Sequence, residues 1–184
     1  MTYRSRAIAL ALAVAAVASL GACTDPSSQG AARVAGPVGR PMVAEVKSLI
    51  ARGDKVIEFG TSAMPPAGWE AHSGGDSAAG WEIADALHDA GVTARCVGFC
   101  GSAMSQIVIG SGKCAVTANA VLMPHLGFVE GGTREQNRAA SLQTSREWLE
   151  RGFPVDLVDR LEHSADNTIR VRTEDMARIG CKIE

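Results

Sequence analysis

A chain of 184 residues, 46% hydrophobic and 21% charged, suits one domain with a sizeable core and is too short for several. With 18 basic and 20 acidic residues its formal net charge is −2, so it carries no cationic excess with which to hold a nucleic-acid backbone.

The chain begins MTYRSRAIALALAVAAVASLGAC. Arg4 and Arg6 supply a positive start, and every residue from Ala7 to Ala18 is apolar. That run is far shorter than the roughly 20 apolar residues a spanning helix needs. A basic start, a short apolar stretch and small residues after it mark a secretory signal. Leu20-Gly21-Ala22-Cys23 resembles the bacterial lipobox, which implies acylation of Cys23 and attachment to a membrane rather than passage through it. Thr24, not aspartate, follows the cysteine, so the outer membrane is expected over the inner, with the domain facing the periplasm. Removing residues 1–22 takes two arginines and no acid, leaving 162 residues with a net charge of −4. Residues 24–41, TDPSSQGAARVAGPVGRP, are small, polar and rich in Pro and Gly, which reads as a tether over 23–41 before a domain at 42–184.

Met42, Val43, Val46, Leu49 and Ile50 share one helical face, and Gly53 stops that helix. Lys55 to Phe59 reads as a short strand. An irregular stretch follows, ending in His72-Ser73-Gly74-Gly75-Asp76. Asp76 caps a helix over about Ser77–Asp89 with Ala79, Ile83, Ala86, Leu87 and Ala90 as its core face, and Gly91 ends it. Val92–Val97 is a strand, Gly98–Gly101 a turn, and Ser102 opens a helix to about Gly110. Cys114–Thr117 and Ala120–Met123 are strand-like. Thr133 with Gln136 forms a capping box for a helix to about Arg151. Pro154 starts another helix that ends near Ser164. Ile169–Val171 is a candidate strand, and Thr173–Ile179 a last helix closed by Gly180. Strands alternating with helices imply an α/β domain with a largely parallel sheet.

Beyond Cys23 the chain has Cys96, Cys100, Cys114 and Cys181, and in an exported protein an even number points to two disulfides with three pairings open. No CxxC occurs and no histidine stands at zinc-ligand spacing near these residues, so no metal site is expected.

Three features carry chemistry: the glycine pair Gly74-Gly75 before a helix, Ser102 on a tight strand-to-helix turn, and His125 after a strand end. A serine on such a turn exposes its Oγ at a helix N-terminus. The amide of Ala103 can donate to a developing oxyanion. A glycine loop can bring a second amide close because no Cβ blocks its approach. A histidine within reach can take the serine proton.

In this order, HSGGDSAAGWEIADAL, GVTARCVGFCGSAMSQIVIGSGKCAV, NAVLMPHLGF and RTEDMARIG resemble the Clp protease proteolytic subunit and crotonase superfamily, nearest the exported Clp-protease-like proteins, over about His72 to Gly180. The resemblance implies a single-domain ββα spiral with a largely parallel sheet. It makes Ser102 the nucleophile and His125 the base, and gives the oxyanion amides to Ala103 and to Gly74 or Gly75. Alignment on Gly180 puts Thr168 where the family has its third catalytic residue, an aspartate. Asp166 lies two residues away and is taken as the orienting acid. The implied activity is a cell-envelope serine hydrolase or peptidase acting on a peptide or acyl substrate, without cofactor. The alternative is a catalytically inactive binding or scaffold lipoprotein of the same fold. A crotonase-like acyl-thioester enzyme fits poorly with export, because coenzyme A is cytoplasmic. The family also implies assembly into homo-oligomers.

Overall fold

Val56-Ile57-Glu58-Phe59 alternates in burial, with Ile57 and Phe59 fully enclosed, as expected of a strand packed between layers. In the computed structural model, which describes residues 30–61, 74–164 and 166–184, this strand lies inside a five-stranded sheet. The signal segment, Cys23, His72 and most of the irregular stretch before Gly74 lie outside the described residues. Ala31–Glu184 forms one compact unit.

The large sheet contains β1 (Ala32–Val34), β2 (Val56–Phe59), β3 (Thr93–Cys96), β5 (Cys114–Val116) and β7 (Cys181–Ile183), adjacent in that order. Every neighbouring pair is parallel, with Phe59 beside Cys96 and Cys96 beside Val116. A smaller parallel pair is made by β4 (Phe99–Gly101) and β6 (Val121–Met123). The helices are α1 (Arg40–Arg52), α2 (Ser77–Ala90), α3 (Ala103–Gly110), α4 (Arg134–Glu150), α5 (Val155–His163) and α6 (Thr173–Met176). The chain thus repeats a ββα unit: β3 and β5 enter the large sheet, β4 and β6 the small one. The sheet is the expected α/β, mostly parallel one.

Local sequence explains most element ends. Gly53 and Gly91 take left-handed conformations and close α1 and α2. Asp76 accepts from the amides of Ala78 and Ala79. The Thr133–Gln136 capping box is present at α4. Ala79, Ile83 and Leu87 of α2 are buried with Trp81 and Ala84, whereas Ala90 is exposed.

Several expectations need correction. The tether read over 23–41 is folded from Ala32 onward, because β1 pairs with β2 and Arg40-Pro41 begins α1. Proline in the first helical turn costs no hydrogen bond, so the Pro/Gly-rich composition concealed a helix start. Phe99–Gly101 is a strand, not part of a turn; only Gly98, at φ 81°, turns the chain. Ile169–Val171 is extended and bonds to β6 and the residue after it without forming a ladder: Val171 N donates to the Leu122 carbonyl and Ile169 N to the Pro124 carbonyl. The last helix stops at Met176, and Cys181–Ile183 adds an edge strand whose pattern was too short to read.

The cysteine pairing is Cys96–Cys100 and Cys114–Cys181. The first joins the end of β3 to β4. The second joins β5 to β7 at the paired register Cys114–Cys181.

Candidate active site

The β4–β6 ladder positions the site. Its register sets Cys100 beside Leu122 and Gly101 beside Met123, so the residues just after each strand emerge together. Ser102 follows β4, and its amide donates to the Met123 carbonyl at 3.0 Å. His125 follows β6 by two residues. Its Nε2 lies 2.6 Å from Ser102 Oγ.

Ser102 stands at the N-cap of α3 with φ 52° and ψ −133°, and its hydroxyl makes no capping bond. An ordinary capping serine is extended and gives its Oγ to the helix amides. Here the left-handed turn swings the hydroxyl to histidine, while the first turn of α3 is tied by its own backbone. Ser105 N and Ser105 Oγ both donate to the Ser102 carbonyl, at 2.9 and 2.6 Å. Ser102 is buried, and His125 is partly exposed.

The other ring nitrogen, Nδ1, lies 2.5 Å from the main-chain carbonyl of Leu126. A carbonyl can only accept, so in the neutral ring this contact puts the proton on Nδ1 and leaves the Nε2 lone pair facing the serine hydroxyl. Asp166 does not take this place. It is an exposed residue whose carbonyl accepts from Thr168 Oγ1. The orienting acceptor is therefore a backbone group, for which no sequence signal exists. Thr168 is the residue beside the base: it forms an isolated antiparallel bridge with His125. Leu126 N donates to the Asn167 carbonyl at 2.9 Å, which holds the two segments together.

Ser102, Ala103, His125 and Gly75 line one cleft of about 940 Å³. Gly75 has φ 138°, and a Cβ there would collide with the Val38 carbonyl, so only glycine lets this loop lie against Val38. The Asp76 amide and the Gly74 carbonyl both bond to Val38. Gly74 is buried and lies outside the cleft lining. Of the two glycines considered for the oxyanion amide, the structure brings Gly75 to the cleft.

Sequence reasoning missed two residues of the lining, Gln106 and Phe128. Gln106 is buried one helical turn after Ser102, and its Nε2 donates to Ser77 Oγ at 2.9 Å. Phe128 is 56% exposed at the rim, its ring 5.7 Å from that of His125. The i+4 spacing from Ser102 could have identified Gln106. The position of Phe128 depends on how the chain leaves β6.

Chemically, the arrangement provides a hydroxyl whose proton has an acceptor, a helix N-terminal amide beside it and a glycine amide on the same cleft. That set can support acyl transfer through a serine.

No family model matches the chain, and no curated protein matches it by sequence. Among solved structures it is similar to ClpP1 from Listeria monocytogenes, with a TM-score of 0.58 at 12% identity, over 84% of this chain and 91% of that one. An Asn-to-Asp mutant of that ClpP1 gives a TM-score of 0.56 at 15% identity, over 84% and 90%. Likeness at this identity is one of fold, and it bears on the resemblance read from the sequence at that level: the chain has a Clp-protease-like α/β fold.

Proposed function

We propose that this chain is a serine hydrolase of the Clp-protease-like type, acting on a peptide or similar acyl substrate. The observation that carries the reading is the 2.6 Å contact between Ser102 Oγ and His125 Nε2, with Nδ1 directed to the Leu126 carbonyl. Ser102 Oγ attacks the acyl carbon as His125 Nε2 takes its proton. The amides of Ala103 and Gly75 donate to the oxyanion. The tetrahedral intermediate then collapses, and the leaving amine or alkoxide takes the proton from His125. Water, deprotonated by the same ring, releases the acyl group and regenerates Ser102.

Export, acylation at Cys23 and assembly into homo-oligomers belong to the same proposal. The basic, apolar and lipobox-like segments of residues 1–23 support the first two. The fold likeness supports the third.

A second reading, a binding lipoprotein that keeps the fold without the chemistry, is favoured by the exposure of Asp166 and by a neutral carbonyl in the orienting position. An imidazolium beside a carbonyl is stabilised less than one beside a carboxylate.

Labelling of the full chain in detergent with a fluorophosphonate probe decides between them. The hydrolase reading expects labelling of wild type and loss of at least about 100-fold in both Ser102→Ala and His125→Ala. An unlabelled, folded wild-type protein would instead support the binding lipoprotein.

A further inference from the structure

A second cleft, of about 800 Å³, shares no residue with the cleft of Ser102 and His125. One wall is the extended segment 169–172. Ile169 and Val171 are buried, while Arg170 and Arg172 are exposed. Alternation therefore puts both guanidinium groups on the outer side of one short segment. Arg160 and His163, from α5, complete the basic lining. Three arginines around one cleft run against a chain whose net charge is −2.

The carboxylates in the lining are Asp159 and Glu174. Asp159 pairs with His163 at 3.2 Å, and its main-chain carbonyl and charge hold that imidazole above its ordinary pKa. Glu174 meets Arg172 at 3.6 Å, with both side chains more than 60% exposed, so solvent screens the pair. Arg160 is fixed in place by a 2.9 Å bond to the buried Asp175. Arg170 forms no ion pair among the described residues. The cleft thus combines one braced guanidinium with two that solvent or a ligand can engage.

Guanidinium forks match oxyanions in bidentate geometry, and a cleft of this volume admits a small organic molecule rather than a lone ion. We propose that this cleft binds a small molecule carrying a phosphate or diphosphate group. Arg170 and Arg172 grip the oxyanion, and Arg160 supplies a fixed third contact.

The test is calorimetric titration of the full chain, in a neutral detergent at low ionic strength, with inorganic pyrophosphate. Sodium chloride at matched ionic strength is the control. The expected result is saturable binding that weakens at least tenfold in Arg170→Ser/Arg172→Ser and is unchanged in Ser102→Ala. Both arginines are exposed, so the double variant should keep the wild-type circular dichroism and melting temperature. No saturable heat with pyrophosphate, or equal affinity in the folded double variant, overturns the proposal. Neither outcome depends on whether Ser102 is reactive.

Discussion

Ser102 holds φ at 52° although it is not glycine, a conformation that costs on the order of 1–3 kcal/mol and persists only when its surroundings impose it. The Met123 carbonyl and the two bonds from Ser105 impose it here. Ser102→Gly, which relaxes the backbone, should therefore be more stable than Ser102→Ala by about 1 kcal/mol, although both lose the hydroxyl. Urea unfolding of the two variants measures this, and equal stabilities would remove the strain argument. Thr168 offers a second test. Residues paired across an antiparallel bridge present their side chains to the same face, so Thr168→Asp places a carboxylate on the same side of the paired segments as the His125 side chain. We expect fluorophosphonate labelling to accelerate by about tenfold or more, because a carboxylate stabilises the imidazolium better than the Leu126 carbonyl does. An unchanged or slower rate means the carbonyl already suffices or the ring cannot use the new group.

The elements that deliver the site meet through small residues. Gly80 of α2 lies against α3 so closely that a Cβ there would come within 3.1 Å of the Ala103 carbonyl and 2.9 Å of Gln106 Oε1. Gly110 of α3 does the same against Trp81 and Ala84. These contacts fix the helix whose first residue, Ala103, lines the cleft. The short helix α6 depends instead on charge. Asp175, 4% exposed, accepts from Arg160 at 2.9 Å and from Arg178 at 3.1 Å. Burial alone would raise its pKa, but the two guanidinium groups outweigh that and hold it below the ordinary 3.8. A depressed carboxylate stabilises the fold fully above its unfolded pKa, and that stability is lost as pH falls through the folded value. Asp175→Asn should cost about 1–3 kcal/mol at neutral pH, with the penalty shrinking in acid. Urea midpoints of both proteins across the acid range will show whether the curves converge; parallel curves would exclude this carboxylate as the source.

Across the whole molecule, the Cys114–Cys181 disulfide and an aromatic cluster join parts distant in sequence. Trp81 of α2 meets Trp148 of α4 edge-on at 5.0 Å, and Trp148 meets Phe153 at 4.8 Å. Trp81 Nε1 donates to Glu147, and Arg151 lies 4.2 Å above the Trp81 ring. The disulfides differ in what they constrain. Cys114–Cys181 spans 67 residues and Cys96–Cys100 only four. Loop-closure entropy assigns about 4 kcal/mol to the long loop and about 2 kcal/mol to the short one. Cys114→Ala/Cys181→Ala should accordingly lower the urea midpoint about twice as far as Cys96→Ala/Cys100→Ala. The short bridge lies two residues before Ser102, so its removal should slow labelling more than removal of the long one. A reversed order of midpoints would point to strain or residual unfolded structure in place of loop entropy.

What the sequence determined by itself was local or periodic. The short apolar run marked a strand over Lys55–Phe59, the capping box marked α4, and glycines marked the ends of α1 and α2, because each depends on neighbours within a few residues. Ser102 and His125 were legible through their order and spacing on a strand-helix scaffold. Tertiary structure alone decided which cysteines pair, since four thiols admit three pairings and only the folded registers choose. It also decided that β1 and β7, each three residues long, join the sheet, because such short segments gain their stability from a neighbouring strand. It directed Nδ1 of His125 to a backbone carbonyl rather than to Asp166, since every residue carries that carbonyl and only the path of the chain after β6 brings this one to the ring.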